Sequence, residues 1–133
     1  MANLISGLAH VGLRSANIEQ ATTFYQSLGF TTRETLVLDD PQGTISIRFL
    51  TLGPLTLELY QLPWPGQQRD AASFGIDHLA LQVSDLAAAQ HWMTELGYPL
   101  TEGPSLQPSG NNGVRYFMIA GPDGEQVEFN QPL

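Results

Sequence analysis

Phe74-Gly-Ile-Asp-His78-Leu-Ala-Leu-Gln-Val83-Ser-Asp-Leu86 is a short alternating run that carries a histidine and ends at a helix-capping residue. The chain has already stated it once, as Gly7-Leu-Ala-His10-Val-Gly-Leu13-Arg-Ser-Ala-Asn17-Ile18. A gapless shift of 68 residues lays Gly7 on Gly75, His10 on His78, Leu13 on Leu81, Asn17 on Asp85, Phe24 on Trp92 and Gly29 on Gly97. Further along the shift becomes 70, and Leu57-Glu58-Leu59 falls on Val127-Glu128-Phe129. One module is used twice, over 7–61 and 75–130. The stretch 62–74, with two prolines and a glycine, reads as the joint inside a single domain spanning 1–133.

Each module opens on a period-2 segment. In 7–14, Ala9, Val11 and Leu13 alternate with His10, Gly12 and Arg14, which predicts a strand with one buried face. Asn17 reads as an N-cap, with Gln20 three residues on as in a capping box. Ile18, Ala21, Phe24, Tyr25 and Leu28 follow at helical spacing, and Gly29 supplies a left-handed stop. Strands are expected over Phe30–Val37, Thr44–Leu52 and Leu55–Gln61, with a turn over Asp39–Gly43 and a hairpin around Gly53-Pro54. In the second module Asp85 caps a helix from Leu86 to Leu96, ended by Gly97. A polar loop is expected over 101–113, then a hairpin of Val114–Ala120 and Gln126–Asn130.

The fold class is therefore α+β: two tandem βαβββ modules, whose mixed sheets curve into a cup with the helices on the convex side. Alternation assigns the lining of that cup to His10, Arg14, Arg48, Thr56, Glu58, Tyr60, His78, Gln82, Met118, Glu128 and Asn130.

Composition narrows what such a cup could do. A net charge of −8 argues against nucleic acid, whose phosphates require a basic stripe. No window is long and apolar enough for a membrane span, and a cytoplasmic protein is expected. Cysteine is absent, which removes disulfides and thiolate chemistry. All five basic residues are arginines, so Schiff-base chemistry is excluded too.

Taken singly, a histidine or glutamate on the polar side of a strand is ordinarily just solvated. Together the four are less ordinary. One histidine opens each module and one glutamate sits on the last strand of each. Two carboxylates facing each other in a cup repel unless a cation lies between them. Two neutral imidazoles and two carboxylates balance a divalent ion, and suit nickel, zinc, cobalt, iron or manganese. His10, Glu58, His78 and Glu128 are the candidate metal ligands. His91, mid-helix, and Asp39-Asp40 are read as surface and turn residues.

This pattern resembles the vicinal-oxygen-chelate superfamily, which includes glyoxalase I, methylmalonyl-CoA epimerase, fosfomycin-resistance proteins, extradiol dioxygenases and bleomycin-binding proteins. The resemblance spans about Gly7 to Asn130 and is strongest to glyoxalase I. That enzyme's ligand order is His, Glu, His, Glu, as here. Its bacterial form carries an arginine four residues after the first histidine, as in His10-Val-Gly-Leu-Arg14. Epimerases usually carry Gln where Glu58 stands, and dioxygenases use only one glutamate. The resemblance implies a metal-dependent lyase or isomerase that acts on a hemithioacetal or related α-hydroxycarbonyl through a chelated enediolate. Glu128 or Glu58 would move the proton, and Arg14 would anchor a substrate carboxylate. Arg48, Tyr60, Gln82 and Met118 would line the substrate site, with Trp64 and the 101–113 loop at its mouth. It also implies a homodimer and a thiol co-substrate such as glutathione. The lysine-bearing loop that helps glyoxalase I hold glutathione is replaced by Gly103-Pro-Ser-Leu-Gln-Pro-Ser-Gly110, and the alternation leaves Arg115 unplaced as its substitute. The alternatives are an Fe(II)-dependent extradiol-type dioxygenase using His10, His78 and Glu128, and a non-catalytic small-molecule binding protein.

Overall fold

The computed structural model describes residues 4–133. The chain divides between Gln67 and Gln68 into two compact units.

In the first unit, β1 (Val11–Arg14), α1 (Ile18–Ser27), β2 (Thr31–Asp40), β3 (Gly43–Leu52) and β4 (Leu55–Gln61) build one sheet in the order β1-β4-β3-β2. β1 runs parallel to β4 and the rest is antiparallel. α1 starts where expected, with the Asn17 side chain accepting from the Gln20 amide at 3.1 Å. The reciprocal half of the capping box is made differently: the Ser15 hydroxyl accepts from the Asn17 amide at 3.0 Å. Gly29, at φ 108°, lets the chain turn so that the Phe30 amide bonds back to Tyr25 O. Ile18, Ala21 and Tyr25 of the helix pack on Leu50, Leu57 and Leu59, all buried.

The second unit repeats this with β5 (His78–Gln82), α2 (Leu86–Leu96), β6 (Leu100–Gln107), β7 (Val114–Ala120) and β8 (Gln126–Pro132), in the order β5-β8-β7-β6. Met93 of α2 is buried with Phe117, Ile119, Val127 and Phe129. The Phe117 and Phe129 rings stack 5.1 Å apart.

Three expectations need correction. The first strand is shorter than 7–14, because pairing with β4 begins only at Val11↔Leu57. β2 runs on through Asp39 and Asp40, and the turn lies after them, where Asp40 Oδ1 accepts from the Gln42 amide. Half of the loop expected over 101–113 is the edge strand β6. Its Gly103-Pro104 hides the strand from propensity, but an edge position tolerates a missing donor. A Cβ at Gly103 would stand 2.7 Å from Tyr116 O, so the glycine lets the two backbones approach.

Candidate functional site

Paired residues of neighbouring strands share a face, so the ladders say which side chains look away from each helix. In the first unit Gly12 pairs with Glu58, and Glu58 with Phe49. Arg14 pairs with Tyr60, and Tyr60 with Ile47. These residues, with His10 just before β1, make the open face. His10 Nε2 lies 3.8 Å from Glu58 Oε1, and the imidazole edge meets the Phe49 ring at 5.8 Å between centroids. Arg14 shares this face, but its guanidinium donates to Trp64 O at 2.9 Å and packs on Gly66.

Arg48 does not join them. It pairs with Leu59 and so faces the helix, where it donates to Glu19 and to Thr22 Oγ1. The two-residue hairpin pairs Leu52 with Leu55 and thereby sets Phe49, not Arg48, opposite Glu58. The Glu19 carboxylate is held below the ordinary range by the Arg48 hydrogen bond. That arginine therefore ties helix to sheet and is removed from the candidate substrate site.

In the second unit Ala80 pairs with Glu128 and Glu128 with Met118, while Gln82 pairs with Asn130 and Asn130 with Tyr116. His78 opens β5 on the same face, with Nε2 3.7 Å from Glu128 Oε1. Asn130 Nδ2 donates to Glu128 Oε2 at 2.8 Å. His78 Nδ1 lies 2.7 Å from Asp77 Oδ1. That hydrogen bond is the main cause holding the Asp77 carboxyl below its ordinary range, so the aspartate is an ionised acceptor and Nδ1 is the donor. Nε2 is then the ring nitrogen left facing Glu128.

The sequence reading missed several neighbours. Tyr116 O–H donates to Glu102 Oε2 at 2.7 Å, and this hydrogen bond, with burial and the Glu102 and Glu128 charges, raises the phenol above its ordinary value. Glu102 was concealed in the supposed loop, whereas Phe49 could have been found from the hairpin arithmetic. Arg115 pairs with Leu106 and Gln131 on the helix side, away from Met118. His91 lies on the surface with Nε2 2.7 Å from Glu95 Oε1.

Each unit thus turns one imidazole nitrogen and one carboxylate oxygen toward each other without a hydrogen bond. Two ligands bound about 2.1 Å from a shared ion stand roughly 3.0–3.5 Å apart. The 3.8 and 3.7 Å gaps are a few tenths of an ångström wider. Nitrogen and oxygen donors in this ratio fit a borderline divalent cation. Among the described residues no three such groups stand together, so each unit offers a pair.

Two βαβββ units, each with a histidine–glutamate pair on the face away from its helix, define a vicinal-oxygen-chelate fold. A sequence profile of the Glyoxalase/Bleomycin resistance protein/Dioxygenase superfamily matches residues 7–129, and the chain belongs to that superfamily. The Bacillus subtilis (strain 168) protein YwbC is 33% identical over 128 residues, covering 92% of this chain and 94% of its own. A glyoxalase family protein from Bacillus cereus superposes with a TM-score of 0.80 at 17% identity, over 100% of this chain and 99% of that one. A fosfomycin resistance protein from Listeria monocytogenes, solved with Mn(II) and sulfate, gives 0.70 at 16% identity, over 98% of this chain and 95% of its own. No helix among the described residues is long and apolar enough to cross a membrane.

Proposed function

We propose that this protein is a metal-dependent lyase or isomerase of the glyoxalase I type, acting on a hemithioacetal or related α-hydroxycarbonyl. The observation that carries the reading is the repeated pair: a histidine nitrogen and a glutamate oxygen set 3.8 Å apart in one unit and 3.7 Å apart in the other. His10 with Glu58, and His78 with Glu128, are then the proposed ligands for nickel, zinc or cobalt in a homodimer. Iron and manganese fit the donors too, and the Listeria relative was solved with Mn(II). When bound, such an ion supplies Lewis acidity that lowers the barrier to removing a proton beside a carbonyl.

The chain's own groups do the rest. Glu128 or Glu58 takes the proton from the substrate carbon and returns it to the neighbouring carbon, as a carboxylate within hydrogen-bond reach can. Asn130 fixes Glu128 through Oε2 and leaves Oε1 toward His78. Tyr60 and Arg14 flank the first pair, and Gln82 and Met118 the second. A two-histidine, one-carboxylate dioxygenase site would leave one glutamate without a role, although both glutamates face a histidine in the same way.

The deciding experiment is elemental analysis of protein purified without an affinity tag or chelator, as wild type and as Glu58→Ala. Wild type is expected to hold one divalent ion per ligand set and the variant to lose it. Hemithioacetal turnover by wild type, lost in Glu128→Gln, completes the case. A variant that keeps its metal points to a three-ligand site. A wild type that takes up none after reconstitution leaves a binding cleft.

A further inference from the structure

We infer that Arg33 is the anion-binding residue of the first unit's open face, and that the substrate carries a carboxylate joined to its reacting end through an apolar spacer. This rests on the proposed function for where the reacting end lies, though Arg33 can be tested without it.

The chain has five cationic side chains, all arginine; three are engaged elsewhere and a fourth faces away. Arg14 donates to Trp64 O, Arg48 is paired with Glu19, and Arg69 donates to Ser73 O and Phe74 O. Arg115 stands on the helix side of β7. Arg33 is different. The β2–β3 register shifts between Thr32 and Glu34, so Arg33 is the extra residue of a bulge, a feature that re-aims side chains. Its guanidinium lies over the Phe49 ring, 5.3 Å from the centroid. Phe49 in turn meets His10.

His10, Phe49 and Arg33 therefore stand in series, with Glu58 beside the first. Between imidazole and guanidinium stands the Phe49 ring, with Ile47 and Leu36 one row further along the same face. Glu34 shares the face as well, yet among the described residues no ion pair joins it to Arg33. A guanidinium stacked on a ring keeps its N–H edges outward, which suits the planar, two-oxygen fork of a carboxylate. A ligand reaching from His10 must cross the Phe49 ring before its charge meets Arg33, hence the apolar spacer.

The test titrates hexanoate and its neutral isostere hexanamide into the metal-free full chain, following Arg Nε–H and Phe ring resonances by NMR. Wild type, Arg33→Met, Arg33→Lys and Arg14→Met are compared. Hexanoate is expected to bind wild type about tenfold more tightly than hexanamide, the value of one charge-assisted contact. Arg33→Met should equalise the two ligands without weakening hexanamide, Arg33→Lys should keep part of the preference, and Arg14→Met all of it. A preference that survives Arg33→Met, or vanishes with Arg14→Met, overturns the assignment. Inorganic phosphate binding through Arg33 more tightly than hexanoate overturns the apolar spacer. Zinc uptake by the same samples separates the two readings. Discrimination without zinc keeps Arg33 and removes the isomerase, while zinc without discrimination does the reverse.

Discussion

The two units share a scaffold down to single hydrogen bonds and differ on the surfaces those bonds support. Ser15 N bonds to Tyr60 O and Val83 N to Asn130 O, each at 2.8 Å. The Gln61 side chain accepts from the first amide of α1 and the Gln131 side chain from the first amide of α2, again at 2.8 Å each. Around these constants almost everything else changes. Opposite its glutamate the first unit sets Phe49, and the second Met118. Beside its histidine the first unit has Ala9 and the second Asp77. The first open face carries Phe49, Ile47 and Leu36 beside its charged groups, and the second a polar chain of Gln82, Asn130, Tyr116 and Glu102. A duplicated module has kept what positions the histidine and glutamate, and has divided the surrounding tasks.

The contrast reaches the core, where the largest effects are expected. The position held by Arg48 in the first ladder, opposite Leu59, is held by Phe117 in the second, opposite Phe129. One unit uses that position for an ion pair to its helix, and the other for a pair of stacked rings within the sheet. Phe129→Ala should cost about 3–5 kcal/mol in urea unfolding and Leu59→Ala about 2–5 kcal/mol, since each opens a cavity under its helix. A Phe129→Ala loss below that of Leu59→Ala would show that the aromatic stack contributes little.

Next is the asymmetry at the histidines. Asp77 holds the His78 ring through Nδ1 with Nε2 turned to Glu128, and nothing equivalent stands at Ala9. Outer carboxylates of this kind typically change metal affinity 10–100-fold. Asp77→Ala should weaken zinc binding by about that much, whereas Asp77→Asn, whose carbonyl still accepts from Nδ1–H, should recover most of it. Competition with a chromophoric chelator would measure both. Equal losses in the two variants would mean that the aspartate acts by charge rather than by orienting the ring.

The two glutamine caps come third. Each satisfies a helix N-terminal amide that Asn17 or Asp85 does not reach, so Gln61→Ala and Gln131→Ala should each cost about 1 kcal/mol of unfolding free energy. Near-equal values are expected, because the duplicated geometry is the same. A large difference would make the shared scaffold less symmetric than its distances.

What the sequence showed and concealed follows the same division. The repeat, the caps at Asn17 and Asp85, the stop at Gly97 and the polar faces of β4, β5 and β8 are periodic or local features, and could be read directly. Arg48 was placed on the wrong face because alternation gives two faces without saying which is covered; β3 presents Ile45, Ile47 and Phe49 on the open side. Arg33 was passed over because a bulge breaks the period that would have placed it. β6 was read as a loop because Gly103 and Pro104 look like punctuation, although an edge strand tolerates both. Gln61 and Gln131 act across more than forty residues, where no local pattern reaches.

The smallest expected effect belongs to the Glu19–Arg48 pair, and it carries a pH signature that the helix of the second unit lacks at the matching position. The hydrogen bond from Arg48 holds Glu19 below its ordinary carboxylate range in the folded chain. A carboxylate shifted this way binds its proton less readily folded than unfolded. Its contribution is complete above the unfolded value and is lost as pH falls through the lowered folded one. Wild type should therefore exceed Glu19→Gln in stability at pH 7, and the gap should narrow as pH falls below the ordinary carboxylate range. Because Glu19 is largely exposed, salt should narrow the gap at pH 7 as well. Alanine stands at the matching position, Ala87, so substitution there should show no such dependence. A gap that persists unchanged at pH 3 and in high salt would mean that Arg48 holds the helix through its stem and Thr22 rather than through charge, making the first unit more like the second than its ion pair suggests.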